Sequence, residues 1–248
     1  MQLALSTESL KGYGLHRIFR FAKEAGFDGV GLAMVNGDFD SLDTDYIKEI
    51  SEKEGMPVLS IQTPAKTSKA KIEEAIIMAK TLGTRIIVIQ PPKIFDRTIS
   101  KWLKNEIPKI RQKENISIAL ENASTKTMLG FIPEHAMASI SDLKRFKHVS
   151  LDTSRAGEKK ADLLELYETL KPYMVHVHLS NIYKGKGYAP PETGSLPLEK
   201  FLETLKADDF KGIIALKVKP SNFHAGHKEK VEQSLKESLD YCKKYLGQ

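Results

Sequence analysis

Ile116-Ser117-Ile118-Ala119-Leu120-Glu121 is a hexapeptide in which apolar side chains alternate with small or polar ones. This two-residue period is typical of a β-strand, in which successive side chains point to opposite faces. In a barrel, one face packs against outer helices and the other lines the interior. We therefore expect Ser117, Ala119 and Glu121 to point inward, with Glu121 at the carboxyl end of the strand.

Seven further runs of this kind are spaced along the chain, and amphipathic helical patterns separate them: Leu3–Ser6, Gly29–Ala33, Val58–Gln62, Arg85–Gln90, His148–Asp152, Met174–Leu179 and Ile213–Val218. Eight strands that alternate with helices predict an α/β protein, a (β/α)8 TIM barrel. A doubly wound open sheet is the alternative, but no Gly-x-Gly-x-x-Gly follows the first strand. No linker rich in Pro, Gly or Ser divides the chain, so we predict a single domain over residues 1–248.

Two local patterns refine this prediction. Gly26-Phe27-Asp28-Gly29-Val30 and Asp209-Phe210-Lys211-Gly212-Ile213 resemble one helix-to-strand turn used twice. The longest irregular stretch, from Ile182 to Leu196, contains three glycines and two tyrosines and is a candidate lid over the site.

Composition excludes several classes of protein. A hydrophobic fraction of 41% argues against disorder, and a single cysteine argues against a disulfide scaffold. No apolar run approaches the roughly 18 residues of a membrane helix, and the first residues do not resemble a signal peptide, so we predict a cytoplasmic protein. The net charge of +6 suits a small anionic ligand and does not require a nucleic-acid partner. The oligomeric state is left open.

Polar side chains collect at one end of the predicted barrel. The inward parity places six of them at the carboxyl ends of strands: Gln62, Gln90, Glu121, Asp152, His178 and Lys217. His176 lies one layer below His178. Active sites of such barrels occupy this end. Since isolated buried charges are costly, these groups must pair with one another, bind a metal or contact a ligand.

Several segments together resemble the xylose isomerase-like barrel superfamily, which includes sugar-phosphate isomerases and epimerases and apurinic endonucleases. The segments are Ala25-Gly26-Phe27-Asp28-Gly29-Val30, Leu120-Glu121-Asn122, Leu151-Asp152-Thr153-Ser154-Arg155, His176-Val177-His178-Leu179-Ser180-Asn181 and Phe210-Lys211-Gly212-Ile213-Ile214-Ala215-Leu216-Lys217. The resemblance covers nearly the whole chain and implies the same barrel fold.

The resemblance also implies a divalent metal held by Glu, Asp, His and Glu. Glu121, Asp152 and His178 match the first three ligands, whereas Lys217 stands where the second Glu is expected. Three ligands could still hold Mn, Zn or Mg. The favoured alternative is a cluster without a tightly bound metal, in which the Lys217 ammonium pairs with Glu121 and Asp152 and repels a divalent ion.

Three functions follow from these observations. The first is an isomerase or epimerase of a small sugar or hydroxy-carbonyl compound, with Glu121 as base and Lys217 as electrophile or acid. Four residues would bind the substrate: Gln62, Gln90, Arg155 and His176. The second is a non-catalytic or regulatory ligand-binding barrel that has lost its metal chemistry. A metal-dependent apurinic endonuclease is the least favoured, since that branch has His where Gln62 and Gln90 stand.

Overall fold

The computed structural model describes residues 1–66, 68–123, 127–128 and 132–247. Its strands, in chain order, are β1 (Gln2–Ser6), β2 (Gly29–Ala33), β3 (Val58–Gln62), β4 (Ile86–Ile89), β5 (Ser117–Glu121), β6 (Thr127–Met128), β7 (Ile132–Pro133), β8 (Val149–Asp152), β9 (Met174–Leu179), β10 (Asn181–Tyr183), β11 (Lys186–Ala189) and β12 (Ile213–Leu216). Eight of them close into a parallel barrel in the order β1-β12-β9-β8-β5-β4-β3-β2. The pairs β6–β7 and β10–β11 are separate hairpins.

The helices surround this barrel and cover its outer face. They are α1 (Leu15–Ala25), α2 (Thr44–Glu54), α3 (Lys69–Leu82), α4 (Arg97–Glu114), α5 (Ile140–Phe146), α6 (Thr153–Glu158), α7 (Leu163–Leu170), α8 (Leu198–Ala207) and α9 (Lys228–Leu246). Their apolar stripes form one large core with the outward side chains of the strands. The predicted TIM barrel is thus confirmed. No helix in the described ranges is both long and apolar enough to span a bilayer.

The predicted strand boundaries are close to the observed ones, and the differences lie at strand ends. The last strand was expected to reach Val218 but ends at Leu216. The backbone N–H of Lys217 still donates to the carbonyl of Leu179 at 3.0 Å. This bond continues the β9–β12 ladder by one residue and holds Lys217 at the mouth of the barrel.

The predicted repeated turn is present twice. Gly26 and Asp209 both have a positive φ, of 91° and 53°, and the following phenylalanine N–H closes the turn in each case, on Ala22 and on Leu205. A Cβ on Gly212 would lie 2.3 Å from the carbonyl oxygen of Val175. Only glycine therefore fits at the start of this strand.

The barrel interior confirms the inward parity of three strands. His176 on β9 is fully buried and contacts Ser60 on β3 and Ser150 on β8. Its Nε2 lies 3.2 Å from the Ser60 hydroxyl, and its Nδ1 lies 2.9 Å from the Ser150 hydroxyl. This layer forms the floor beneath the polar cluster at the mouth.

Candidate active site

Four barrel strands deliver a buried polar cluster to the mouth. Glu121 ends β5, Asp152 ends β8, His178 lies near the end of β9 and Lys217 follows β12. All four side chains are nearly inaccessible to solvent. The carboxylates and the imidazole can each offer one atom such that these atoms lie within 4.8 Å of one another. The structure therefore brings together the residues that the sequence placed at the ends of separate strands.

The Lys217 ammonium lies among carboxylates. Its Nζ is 3.5 Å from Glu121 Oε1, 3.7 Å from Asp152 Oδ2 and 3.6 Å from Glu8 Oε2. Burial disfavours the charged form, but the carboxylates outweigh burial and raise the pKa of Lys217 above its ordinary value. Lys217 is consequently a fixed cation, and a Schiff-base mechanism, which needs a neutral amine, is disfavoured.

Arg155 supplies a second buried cation from the first turn of α6. Asp152 caps this helix, since its Oδ1 accepts a hydrogen bond from the Arg155 N–H at 2.9 Å. The guanidinium Nη1 lies 2.5 Å from Glu121 Oε2, and Nε lies 3.7 Å from Asp152 Oδ2. Arg155 was expected to bind the substrate. The structure instead directs its charge onto the carboxylates of the protein itself.

These cations determine the protonation of Glu121. Burial alone would raise the pKa of this carboxyl group, but Arg155 and Lys217 overcome burial and hold the pKa well below its ordinary value. Glu121 is therefore ionised at neutral pH and is a weak base.

His178, in contrast to the ionised Glu121, is uncharged at neutral pH. Burial and the nearby Lys217 lower its pKa in spite of the Glu121 carboxylate, so the ring is neutral at pH 7. Its Nδ1 lies 2.5 Å from Glu121 Oε1, and because an ionised carboxylate can only accept, Nδ1 carries the proton. Nε2 is then unprotonated, and it makes no hydrogen bond to any residue that the structure describes. His178 is therefore the better-placed base of the cluster.

The same charges test whether a divalent metal fits the family-like Glu–Asp–His set. Glu121 and Asp152 are already balanced by Lys217 and Arg155, whose cationic atoms lie 2.5–3.7 Å from their oxygens. A divalent ion on these oxygens would lie within a few ångströms of both cations. Each pair of like unit charges at about 4 Å costs on the order of 4 kcal/mol near a protein surface. The residues present do not fit a tightly bound divalent metal.

The two predicted glutamines lie beside this cluster. Gln62 ends β3 and is buried, and its side-chain oxygen has no hydrogen-bond partner among the described residues. Such a buried acceptor costs about 1–3 kcal/mol unless a ligand or water donates to it. Gln90 follows β4 and lines the same cavity as Gln62.

His176 has a structural position. Both of its ring nitrogens contact serine hydroxyls in the floor layer, and burial lowers its pKa well below the ordinary value. No ring nitrogen is left for a substrate, so the predicted binding role of His176 has no support from its contacts. His176 lies outside the site proposed below.

Sequence reasoning did not assign Tyr188, although it lies in the stretch proposed as a lid. That stretch is not irregular: it contains the β10–β11 hairpin. The Tyr188 hydroxyl accepts a hydrogen bond from Arg155 Nε at 3.3 Å and lies 3.4 Å from Asp152 Oδ2. Its backbone has a φ of 64°. The sequence signal that could have identified Tyr188 is its position just after Gly185 and Gly187.

Glu8 and Lys11 were also missed. Both lie in the segment after β1, on the same side of the barrel as the other strand ends. They line a cavity of about 270 Å³ above the cluster, together with Gln90, Arg155, Tyr188 and the segment 217–220. This segment includes Lys219. The rule that sites follow the carboxyl ends of barrel strands would have found them if it had been applied to the first strand.

The fold and the site together define a TIM barrel with a buried carboxylate–histidine–lysine cluster at its carboxyl-terminal mouth. Residues 19–245 match the xylose isomerase-like TIM barrel family, and the chain belongs to this family.

Similarity to other proteins extends over nearly the full length of the chain. An uncharacterized protein of Mycobacterium leprae is 25% identical, and the alignment covers 99% of this chain and 98% of that protein. Among solved structures, a D-tagatose 3-epimerase-like protein matches with a TM-score of 0.73 at 19% identity, covering 100% of this chain and 97% of the other. The 3-keto-D-glucoside 4-epimerase of E. coli matches with a TM-score of 0.70 at 16% identity, with coverages of 98% and 99%. At these identities the structural matches show the fold alone.

Proposed function

We propose that the protein is an isomerase or epimerase of a small sugar-like hydroxy-carbonyl compound and that it works without a resident divalent metal. One observation carries the proposal: a neutral histidine with a free Nε2 and a fixed ammonium share one buried cluster at the barrel mouth. These are the two groups that proton transfer next to a carbonyl requires, a base and a cation for the developing oxyanion.

In the proposed reaction, His178 Nε2 removes the proton from the carbon next to the substrate carbonyl. The electrons of the broken C–H bond form the enediolate, whose oxygen is stabilised by the Lys217 ammonium. His178 then either returns the proton to the former carbonyl carbon, while the hydroxyl proton of the neighbouring carbon moves to the former carbonyl oxygen, or passes it to solvent while a solvent proton adds to the opposite face of the original carbon. The first gives isomerisation and the second gives epimerisation.

Glu121 takes a different role from the one predicted from the sequence. Its lowered pKa makes it a poor base, but its 2.5 Å contact fixes the tautomer of His178 and stabilises the imidazolium that forms when Nε2 accepts a proton. Glu121 is therefore a positioning residue in this proposal. The epimerases among the structural neighbours support the class of reaction but not a particular substrate.

Solvent-deuterium exchange tests the proposal. The protein is incubated in D₂O with a panel of ketoses, aldoses and their phosphates and acids, and proton NMR follows loss of the signal next to the carbonyl. We expect exchange that EDTA does not abolish, and a loss of about 10²-fold or more in His178→Gln. His227→Gln, at an exposed position that does not line the mouth cavity, is the control variant. Exchange that disappears with EDTA would contradict the metal-independent mechanism.

A non-catalytic binding barrel is the second candidate, and the balanced charges of the cluster favour it. A cluster whose charges already cancel is stable without any substrate. Binding of a panel compound without exchange at any carbon would support this candidate and reject the isomerase.

A further inference from the structure

The rim of the mouth cavity carries two lysines that form no ion pair with the residues that the structure describes. Lys11 and Lys219, here called the cationic rim, both line the cavity and are both exposed. Neither ammonium forms an ion pair or a hydrogen bond with the described residues, and that of Lys219 lies 6.0 Å from the centre of the Tyr188 ring. Glu8, the acidic residue of this lining, lies 3.6 Å from Lys217. The cationic rim is thus available to a ligand.

The barrel topology brings the segments that carry the two lysines to the same edge of the mouth. Lys11 follows β1 and Lys219 follows β12, and these two strands pair with each other to close the barrel. The backbone of Lys219 is held in place because its N–H donates to the carbonyl of Tyr188 at 2.9 Å. Asn222 Nδ2 donates to that carbonyl as well, at 2.9 Å. Lys219 is therefore attached to the hairpin whose tyrosine closes one side of the cavity.

The charges below the cationic rim do not neutralise it. Lys217 and Arg155 balance Asp152 and Glu121 within the buried cluster. Glu8, the acidic residue that lines the mouth cavity with the two lysines, already lies 3.6 Å from Lys217. The opening of the cavity consequently has an excess of positive charge, which attracts and holds an anionic group.

The side-chain oxygen of Gln62 is a hydrogen-bond acceptor in a cavity that Lys11 also lines. The cavity that contains Gln62 also contains Glu8, Lys11 and Gln90, and it therefore adjoins the mouth cavity. The side-chain oxygen of Gln62 is buried without a donor among the described residues. A hydroxyl group of a ligand would supply that donor.

We infer that the substrate carries an anionic group, a phosphate or a carboxylate, at one end of a hydroxylated chain. The cationic rim binds the anionic group, and Gln62 accepts a hydrogen bond from a hydroxyl. This inference rests on the proposed function for the reaction that the substrate undergoes. The anion subsite itself is formed by Lys11 and Lys219, which take no part in that reaction. It narrows the substrates to sugar phosphates and sugar acids and excludes neutral sugars.

The experiment combines a binding measurement with the exchange assay. Inorganic phosphate is titrated into the protein and into Lys11→Met/Lys219→Met, with binding followed by NMR. We expect phosphate to bind the wild type and the double variant to weaken it by at least about tenfold. Lys104→Met/Lys236→Met removes the same charge from exposed positions on α4 and α9 and is the matched control. Melting temperatures show that each variant is folded.

The exchange assay then compares neutral, phosphorylated and carboxylated forms of the same sugars. A higher KM with an unchanged kcat in the rim variant supports the subsite, and the better of the two anionic series identifies the anionic group. Equal exchange of neutral and anionic sugars, or a rim variant equal to its control, overturns the inference while leaving the proposed function intact. Phosphate binding that depends on the rim, with no exchange in any series, retains the subsite and rejects the proposed function.

Discussion

Lys217 is the residue that distinguishes this barrel from the metal-binding pattern that its sequence resembles. Its position was predictable because strand parity places it at the barrel mouth. Its partners were not, because Glu121 and Asp152 lie 96 and 65 residues away along the chain. Only the closed barrel brings the ammonium to 3.5 and 3.7 Å from these carboxylates.

Replacing Lys217 with Glu tests whether the Lys217 ammonium occupies the place that a metal ion takes in the pattern that the sequence resembles. Lys217→Glu crowds three carboxylates into one buried pocket, so we expect a loss of about 3–5 kcal/mol in the free energy of unfolding. Added Mn or Zn should restore the melting temperature, because binding to the folded state stabilises it. The wild type should melt at the same temperature with metal or chelator.

Lys217→Met is the matched control for this prediction. It also removes the ammonium but adds no ligand, so its melting temperature should fall and should not recover with metal. Metal stabilisation of the wild type, together with none in Lys217→Glu, would contradict the argument and indicate an altered metal site.

At the scale of elements, the β10–β11 hairpin connects the mouth to the outer layer. The side chain of Asn181 holds its base, donating to the carbonyl of Pro191 and accepting from the N–H groups of Ile182 and Leu196, all at 2.8–2.9 Å. On its second strand, the Tyr188 N–H donates to the Ser154 hydroxyl at 2.8 Å. The hairpin is thus fastened on both strands near its base, so any lid motion within it is confined to residues 182–187, between the two anchors.

The lid hypothesis predicts that a ligand slows hydrogen exchange in residues 182–196. Binding at the cationic rim should protect the hairpin because Lys219 and Tyr188 share a backbone hydrogen bond. Hydrogen–deuterium exchange with mass spectrometry measures this effect with and without phosphate. Asn181→Ala should increase exchange in the free protein, and equal exchange in all states would contradict the hypothesis.

The helix-to-strand turn before β12 gives a second prediction at this scale. In Gly212→Ala, the new methyl group would lie 2.3 Å from the carbonyl oxygen of Val175, a backbone atom that cannot easily move. We expect a loss of about 1–3 kcal/mol in the free energy of unfolding, measured with urea. Gly14→Ala is the control, because no atom outside its immediate neighbours lies within 4 Å of the new methyl group. Equal stability of both variants would show that the strand start adapts.

At the scale of the whole molecule, His176 joins three strands that are distant in sequence. Ser60 and His176 are 116 residues apart, yet their side chains meet inside the barrel. Because burial keeps this histidine neutral, its charged form is accommodated only when the barrel unfolds.

This burial makes global stability dependent on pH. The folded pKa of His176 is lowered, so below the unfolded pKa of about 6.5 the unfolded chain binds the extra proton and stability falls as the pH falls. Each such histidine contributes a slope of up to about 1.4 kcal/mol per pH unit. Urea unfolding between pH 7 and 5 should show a smaller slope in His176→Asn than in the wild type, and an unchanged slope would contradict the prediction.

The sequence by itself determined the barrel. Each strand and each helix must bury one apolar face, so the eight runs with a two-residue period and the amphipathic helical patterns between them can be read locally. It also determined which residues stand at strand ends, including Glu121, Asp152, His178 and Lys217. Only the tertiary structure decided the roles of these residues. Arg155 pairs inward with Glu121, which leaves His178 as the proposed base, and Lys11 and Lys219 line one cavity because β1 closes on β12. Protonation and pairing depend on distances between residues far apart in sequence, and barrel closure sets those distances.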